Sequence, residues 1–231
     1  MSTTRMPRGA IPSPRHKLAG AIPHVLVGTT PPNALHIPRK LSFWGNNTYG
    51  DCVTAEEAFA KASHNPEIFI SDQEAIQWAK DHNFLNGAVI SDVLETMAQQ
   101  GFQQSKLTYD DGPAQSVNWT DNALLQNAIS LGPVKIGIAA DQLDKVYTGK
   151  NGWFATGFHT DSSEDHCVSL CGYGTLGWLA KSLNAQVPAG VDATKPGYAM
   201  FTWDTIGIID EPSLVAITHE AWLRVPTTKV Q

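Results

Sequence analysis

Charge is scarce in this 231-residue sequence: Asp, Glu, Lys and Arg make up only 16% of it. Sixteen basic residues face 22 acidic ones, for a formal net charge of -6. That balance excludes a partner held through its phosphate backbone, which needs clustered Lys and Arg, so no nucleic acid is expected. Long apolar runs are also missing. The most signal-like stretch, LAGAIPHVLVG, is broken by Pro23 and His24. No window approaches the roughly 20 apolar residues of a membrane span. The expectation is a soluble, cytoplasmic protein with no membrane partner.

Cysteine is scarce as well: Cys52, Cys167 and Cys171. An odd number without a signal fits free thiols in a reducing compartment. Cys167 and Cys171 lie in HCVSLCGYG, a strand-like composition. Four residues along a strand span about 13 Å, and a disulfide needs Cα atoms within about 7 Å. They are therefore expected to pack in the core. No metal and no cofactor is assigned.

What is present is a packed interior, with 42% apolar residues and seven Trp. That is enough for one sizeable domain or two lobes sharing a cleft. Residues 1–40 differ from the rest. They are rich in Pro (PSPRH, TTPPNALHIPRK) and form an expected extended arm lying over a domain of residues 41–231.

Helical periodicity starts near Asp51, with Ala55, Ala58, Phe59 and Ala62 on one face, and stops before Pro66. Further helices are predicted in SDQEAIQWAKDH, where Ser71 and Glu74 have capping-box spacing, in SDVLETMAQQG, and in DNALLQNAISLGP. After Pro133 the period changes to two: VKIGIAA, DHCVSLCGYG, GYAMFTW and EAWLRV read as strands. A helical part over about 51–132 and a strand part over about 133–226 predict an α+β fold with a cleft between the layers.

The chemistry centres on WGNNTYGDCVTAEEAFAK, residues 44–61. A cysteine that opens a helix sits at the positive end of the helix dipole, which favours a thiolate. That end is worth about 0.3–1 kcal/mol, and Asp51, Glu56 and Glu57 oppose it. A cationic partner is needed, and imidazolium is the natural one. Eight His are available, and neither composition nor spacing selects among them.

Two blocks resemble the papain-like cysteine peptidase fold family. Asn46 lies six residues before Cys52, where that family has an oxyanion-hole amide, and Gly50 matches its glycine. DHCVSLCGYG looks like its histidine strand, and LGPVKIGIAAD like its Gly-Pro-Val strand entry. The likeness spans residues 41–225. It implies a two-lobe fold with an N-terminal helical lobe and a C-terminal antiparallel β lobe. It also implies catalytic Cys52 and His166, with Asn46 stabilising an oxyanion and Trp203 shielding the imidazole. The third block departs from the pattern. In FTWDTIG, Phe201 falls where the family has the Asn that orients the His, which leaves Thr202, Asp204 or a backbone carbonyl for that role.

The implied activity is hydrolysis of a peptide or other amide bond through a thioester. The alternatives are a catalytically weak protein that binds a peptide-like ligand, and an acyl transferase or ligase using the same pair. The implied partner is a peptide or amide substrate. The arm is too short for the family's long proregion, and access controlled by the arm fits better.

Overall fold

The computed structural model describes residues 5–149, 152–224 and 228–230. Within them, the Pro-rich arm is woven into the domain. It contains β1 (Ala10–Ile11), α1 (Arg15–Gly20), β2 (Ile22–Pro23) and β3 (Ala34–Leu35). Then follow α2 (Cys52–Ala62), α3 (Asp72–Asp81), β4 (Ala88–Val89), α4 (Ile90–Gln99), β5 (Phe102–Gln104), β6 (Leu107–Asp110), β7 (Gln115–Ser116) and α5 (Asn122–Leu131). The strand half holds β8 (Val134–Ile138), α6 (Leu143–Val146), β9 (Phe154–Ala155), β10 (His166–Thr175) and α7 (Leu176–Ser182). It ends with β11 (Pro196–Thr202), β12 (Thr205–Asp210), α8 (Glu211–Ile217), β13 (Thr218–Leu223) and β14 (Thr228–Val230).

The four predicted helices are α2 to α5, and the four predicted strands are β8, β10, β11 and β13. The cap of α3 is half of the expected box. Ser71 Oγ accepts from Glu74 N at 3.1 Å, but the Glu74 carboxylate accepts from Gln103 N at 2.7 Å instead of reaching back. Holding β5 against the helix end wins over the reciprocal cap. Asp121 caps α5 by accepting from Ala123 N and Leu124 N.

The main sheet runs β2-β7-β13-β8-β10-β11-β12-β9, with β3 also paired to β10. Its body from β7 to β12 is antiparallel, and the β2–β7 and β9–β12 pairs are parallel. This is the α+β, two-lobe arrangement expected. The arm joins it through β2, β3 and the β1–β4 pair. Gly172 is what allows β3 so close, since a Cβ there would stand 2.7 Å from Ala34 O.

β10 divides two cores. Cys167 and Cys171 face the helical lobe with Trp44, Phe59 and Phe201, whereas Val168 and Leu170 face Ile129, Tyr198 and Leu214. All three cysteines are buried and free. Phe201 stacks on Phe59 of α2 with ring centroids 4.0 Å apart. Burying a side chain of that size contributes about 1.5–3 kcal/mol. This contact fixes α2 against the sheet and so sets where its N-terminus points.

Candidate functional site

Cys52 is the first residue of α2, after the N-cap Asp51, and is buried. The backbones of Cys167 and Gly9 lie close enough to its thiol to favour the thiolate. The first of these places the sulfur beside the residue that follows His166. His166 opens β10 and is fully buried. Its Nε2 lies 2.7 Å from Thr202 Oγ1, and its Nδ1 has no hydrogen-bond partner among the described residues. Trp203 stacks on the imidazole at 4.8 Å and 20°.

Trp203 adopts φ 52, a left-handed conformation that costs a bulky residue about 1–3 kcal/mol. It does so in the tight turn closing the β11–β12 hairpin, where Thr202 pairs with Thr205. That turn aims the hydroxyl and the indole at one imidazole. Asp204 is engaged elsewhere, accepting from Tyr147 Oη at 2.9 Å. Of the three candidates for orienting His166, the side chain in contact is Thr202.

Asn46 is buried, and its Nδ2 donates to Tyr49 O at 3.0 Å and to Pro7 O at 3.4 Å. The second acceptor belongs to the arm. Trp203 Nε1 donates to the same Pro7 O at 3.2 Å. Further along the arm, Gly9 O accepts from Ala88 N at 2.8 Å, and Ala10 N donates to Asp165 O at 3.2 Å. Residues 7–10 thus run as an extended peptide over Cys52. They are bonded to the helical lobe through Asn46 and Ala88, and to the strand lobe through Trp203 and Asp165. Two glycines make the approach possible: a Cβ on Gly9 would stand 1.8 Å from Gly50 O, and one on Gly50 would stand 2.7 Å from Arg8 O.

This enclosure sets the protonation states. Burial pushes the Cys52 thiol up to about 12, with Asp51 and Glu56 adding to the effect. Burial pulls His166 down to about 3, and the nearby Arg8 cation adds to that. Asp51 is itself pushed up to about 8 by burial. Burial under the arm thus disfavours both members of a thiolate–imidazolium pair. In both cases the shift favours the neutral form, because the group is cut off from solvent.

Sequence reasoning missed Pro7, Gly9 and Ala10 as parts of the site. Only the Pro-rich, extended character of the arm hinted at them. Which cleft it crosses depends on contacts far away in the chain.

No family model matches this chain, and no curated protein matches it. Solved structures do. Xylellain, a cysteine protease from Xylella fastidiosa, is 13% identical with a TM-score of 0.63, over 96% of this chain and 98% of that one. A digestive procathepsin L 3 from Tenebrio molitor larval midgut is 13% identical with a TM-score of 0.64, over 89% and 73% of the two chains. The proform of Amb a 11, a ragweed pollen cysteine protease, is 13% identical with a TM-score of 0.63, over 90% and 72%. The fold is that of the papain-like cysteine proteases. No described helix is long and apolar enough to cross a membrane.

Proposed function

We propose that the chain is a cysteine hydrolase of peptide or other amide bonds, held latent by its own arm. The observation that carries this reading is the extended peptide of residues 7–10 in the cleft, with the Gly9 backbone on the Cys52 thiol and the Pro7 carbonyl on Asn46. A groove that binds peptide backbone directly above a helix-opening cysteine suits peptide substrates.

Once the arm lifts, water reaches the site and the desolvation that disfavours both charges falls away. His166, oriented by Thr202 at Nε2, then has Nδ1 free to take the Cys52 proton. The thiolate attacks the carbonyl, and the Asn46 side chain and Cys52 N–H stabilise the oxyanion. His166 protonates the leaving amine, and water resolves the thioester. Trp203 shields the imidazole. The three free thiols suit a reducing compartment.

A peptidyl electrophile incubated with the intact chain, together with an acyl-amide substrate library, tests this reading. Mass mapping should place the label on Cys52, and replacing His166 with Ala should abolish both labelling and turnover. A second reading has one observation in its favour. Burial disfavours charge on the enclosed thiol and imidazole, and the Asn46 amide is already engaged, as suits an inert protein whose arm is a permanent plug. Labelling that never reaches Cys52 in the folded chain selects that reading.

A further inference from the structure

A guanidinium already sits beside this site. Arg8 lies between Pro7, whose carbonyl meets Asn46, and Gly9, whose backbone meets Cys52. Its side chain is only 6% exposed. Arg8 Nη1 donates to Asp141 Oδ1 at 2.6 Å and to Asp165 Oδ2 at 2.5 Å, and its Nη2 donates to Asp144 Oδ2. The three carboxylates come from separate places: the loop after β8, helix α6, and the residue before His166. Asp165 Oδ1 also accepts from Ala140 N at 3.1 Å, which fixes its orientation.

Arg5, 62% exposed, caps the cluster from the rim, with Nη2 at 3.0 Å from Asp141 and 2.9 Å from Asp165. Both of these cations belong to the arm. When the arm lifts they leave together, and Lys145 is the cation of the domain that remains near Asp141. Three convergent carboxylates are then left at the edge of the cleft, next to the imidazole.

Resting on the reading of the cleft as a peptide site, we infer that Asp141, Asp144 and Asp165 form a substrate subsite for an arginine side chain, which Arg8 fills in cis. The substrate class is a peptide with Arg next to the bond presented to Cys52. Arg suits the pocket better than Lys, because its planar fork reaches three carboxylates through two nitrogens. A neutral side chain would leave these partly exposed carboxylates without a counter-charge and is selected against.

The test uses the full chain with the paired substitutions Arg8→Met and Gly9→Ala, which remove the buried guanidinium and loosen the arm, leaving only Arg5 at the exposed rim. The probes are the heptapeptide Arg-Met-Pro-Arg-Gly-Ala-Ile and its twin with citrulline, neutral and of the same shape, at the fourth position. Calorimetry should show the Arg peptide binding about tenfold or more tightly, as one charge-assisted contact of about 1.4 kcal/mol provides. Asp144→Asn in the same background should remove most of that difference. Equal affinities, or no binding of either peptide to the folded variant, overturn the proposal. If the paired variant does not fold, Arg8→Gly is titrated with ethylguanidinium against neutral ethylurea, and equal binding again overturns it. Binding requires no turnover. A preference for Arg in a chain whose Cys52 is inert would sink the hydrolase and keep the pocket, and turnover without that preference would do the reverse.

Discussion

Thr202 Oγ1 stands 2.7 Å from Nε2 of His166, with both residues fully buried. One position earlier, Phe201 is turned away into the helical core against Phe59. The adjacent hydroxyl therefore supplies the polar contact that Phe201 cannot.

The role of this contact is open to a conservative pair of changes. Thr202→Val keeps the shape and removes the hydroxyl, whereas Thr202→Ser keeps it. With the arm loosened, Thr202→Val should lower kcat/KM about tenfold, the equivalent of a hydrogen bond of about 1.4 kcal/mol. Thr202→Ser should recover most of the loss. Steady-state kinetics across pH reads both.

Gly9 and Gly50 meet backbone to backbone, and no side chain fits between them. Gly9→Ala should push the arm off Gly50 while leaving the domain folded. The expected outcome is alkylation of Cys52 at least about tenfold faster than in the unaltered chain, since displacing a strap by about 1.4 kcal/mol raises the open population by that factor. Timed mass mapping of the modified residue checks it.

Behind the site lies a buried charge network. Lys135 Nζ is paired with Glu57 Oε1, Arg224 Nε lies 2.8 Å from Glu57 Oε2, and Lys61 Nζ lies 2.9 Å from Asp111. Burial alone would raise Glu57, but Arg224 and Lys135 hold its carboxyl down to about 2. Glu57→Gln leaves both cations short of a counter-charge. Removing one partner of a buried pair costs about 3–5 kcal/mol. A denaturant titration should show that loss, with circular dichroism confirming the fold in water.

Stability should fall as pH rises from about 6.5 to about 8. Burial raises Asp51 and Glu56 to about 8, and burial with the neighbouring Glu220 raises Glu164 to about 9. A carboxyl whose folded pKa lies above its unfolded value stabilises fully below the unfolded value, and that contribution is lost as pH climbs through the folded one. Depressed His166 acts with the opposite sign, but only below about 6.5, where the unfolded imidazole gains its proton. Above that pH the carboxyls act unopposed. Denaturation midpoints across this range test the sign, and a midpoint that rises would refute it.

The long elements were legible because their periodicity is local. In α2 the apolar positions recur on one face, and β8 reads as a strand because its residues alternate. The short elements α7, α8 and β12 escaped notice, since six or seven residues carry too little period and take their conformation from packing. The candidate cysteine and histidine were legible through their flanking motifs, and Thr202 was one of three readings. What could not be read was non-local. Glu57 looked like a charge opposing a thiolate, yet the helix turns it inward to Lys135 and Arg224. Nothing local marks Gly9 within the arm, and its partner Gly50 lies far along the chain.

The thiol now sealed under the arm should become a nucleophile through His166 when the arm lifts. The most direct measurement is the rate of iodoacetamide alkylation of Cys52 near pH 6 in the Gly9→Ala chain, with and without His166→Ala. A free cysteine is almost wholly protonated at that pH. Cys52 should react faster than a free thiol and lose that advantage with His166. A rate no faster than that of free cysteine, or one indifferent to His166, would contradict this.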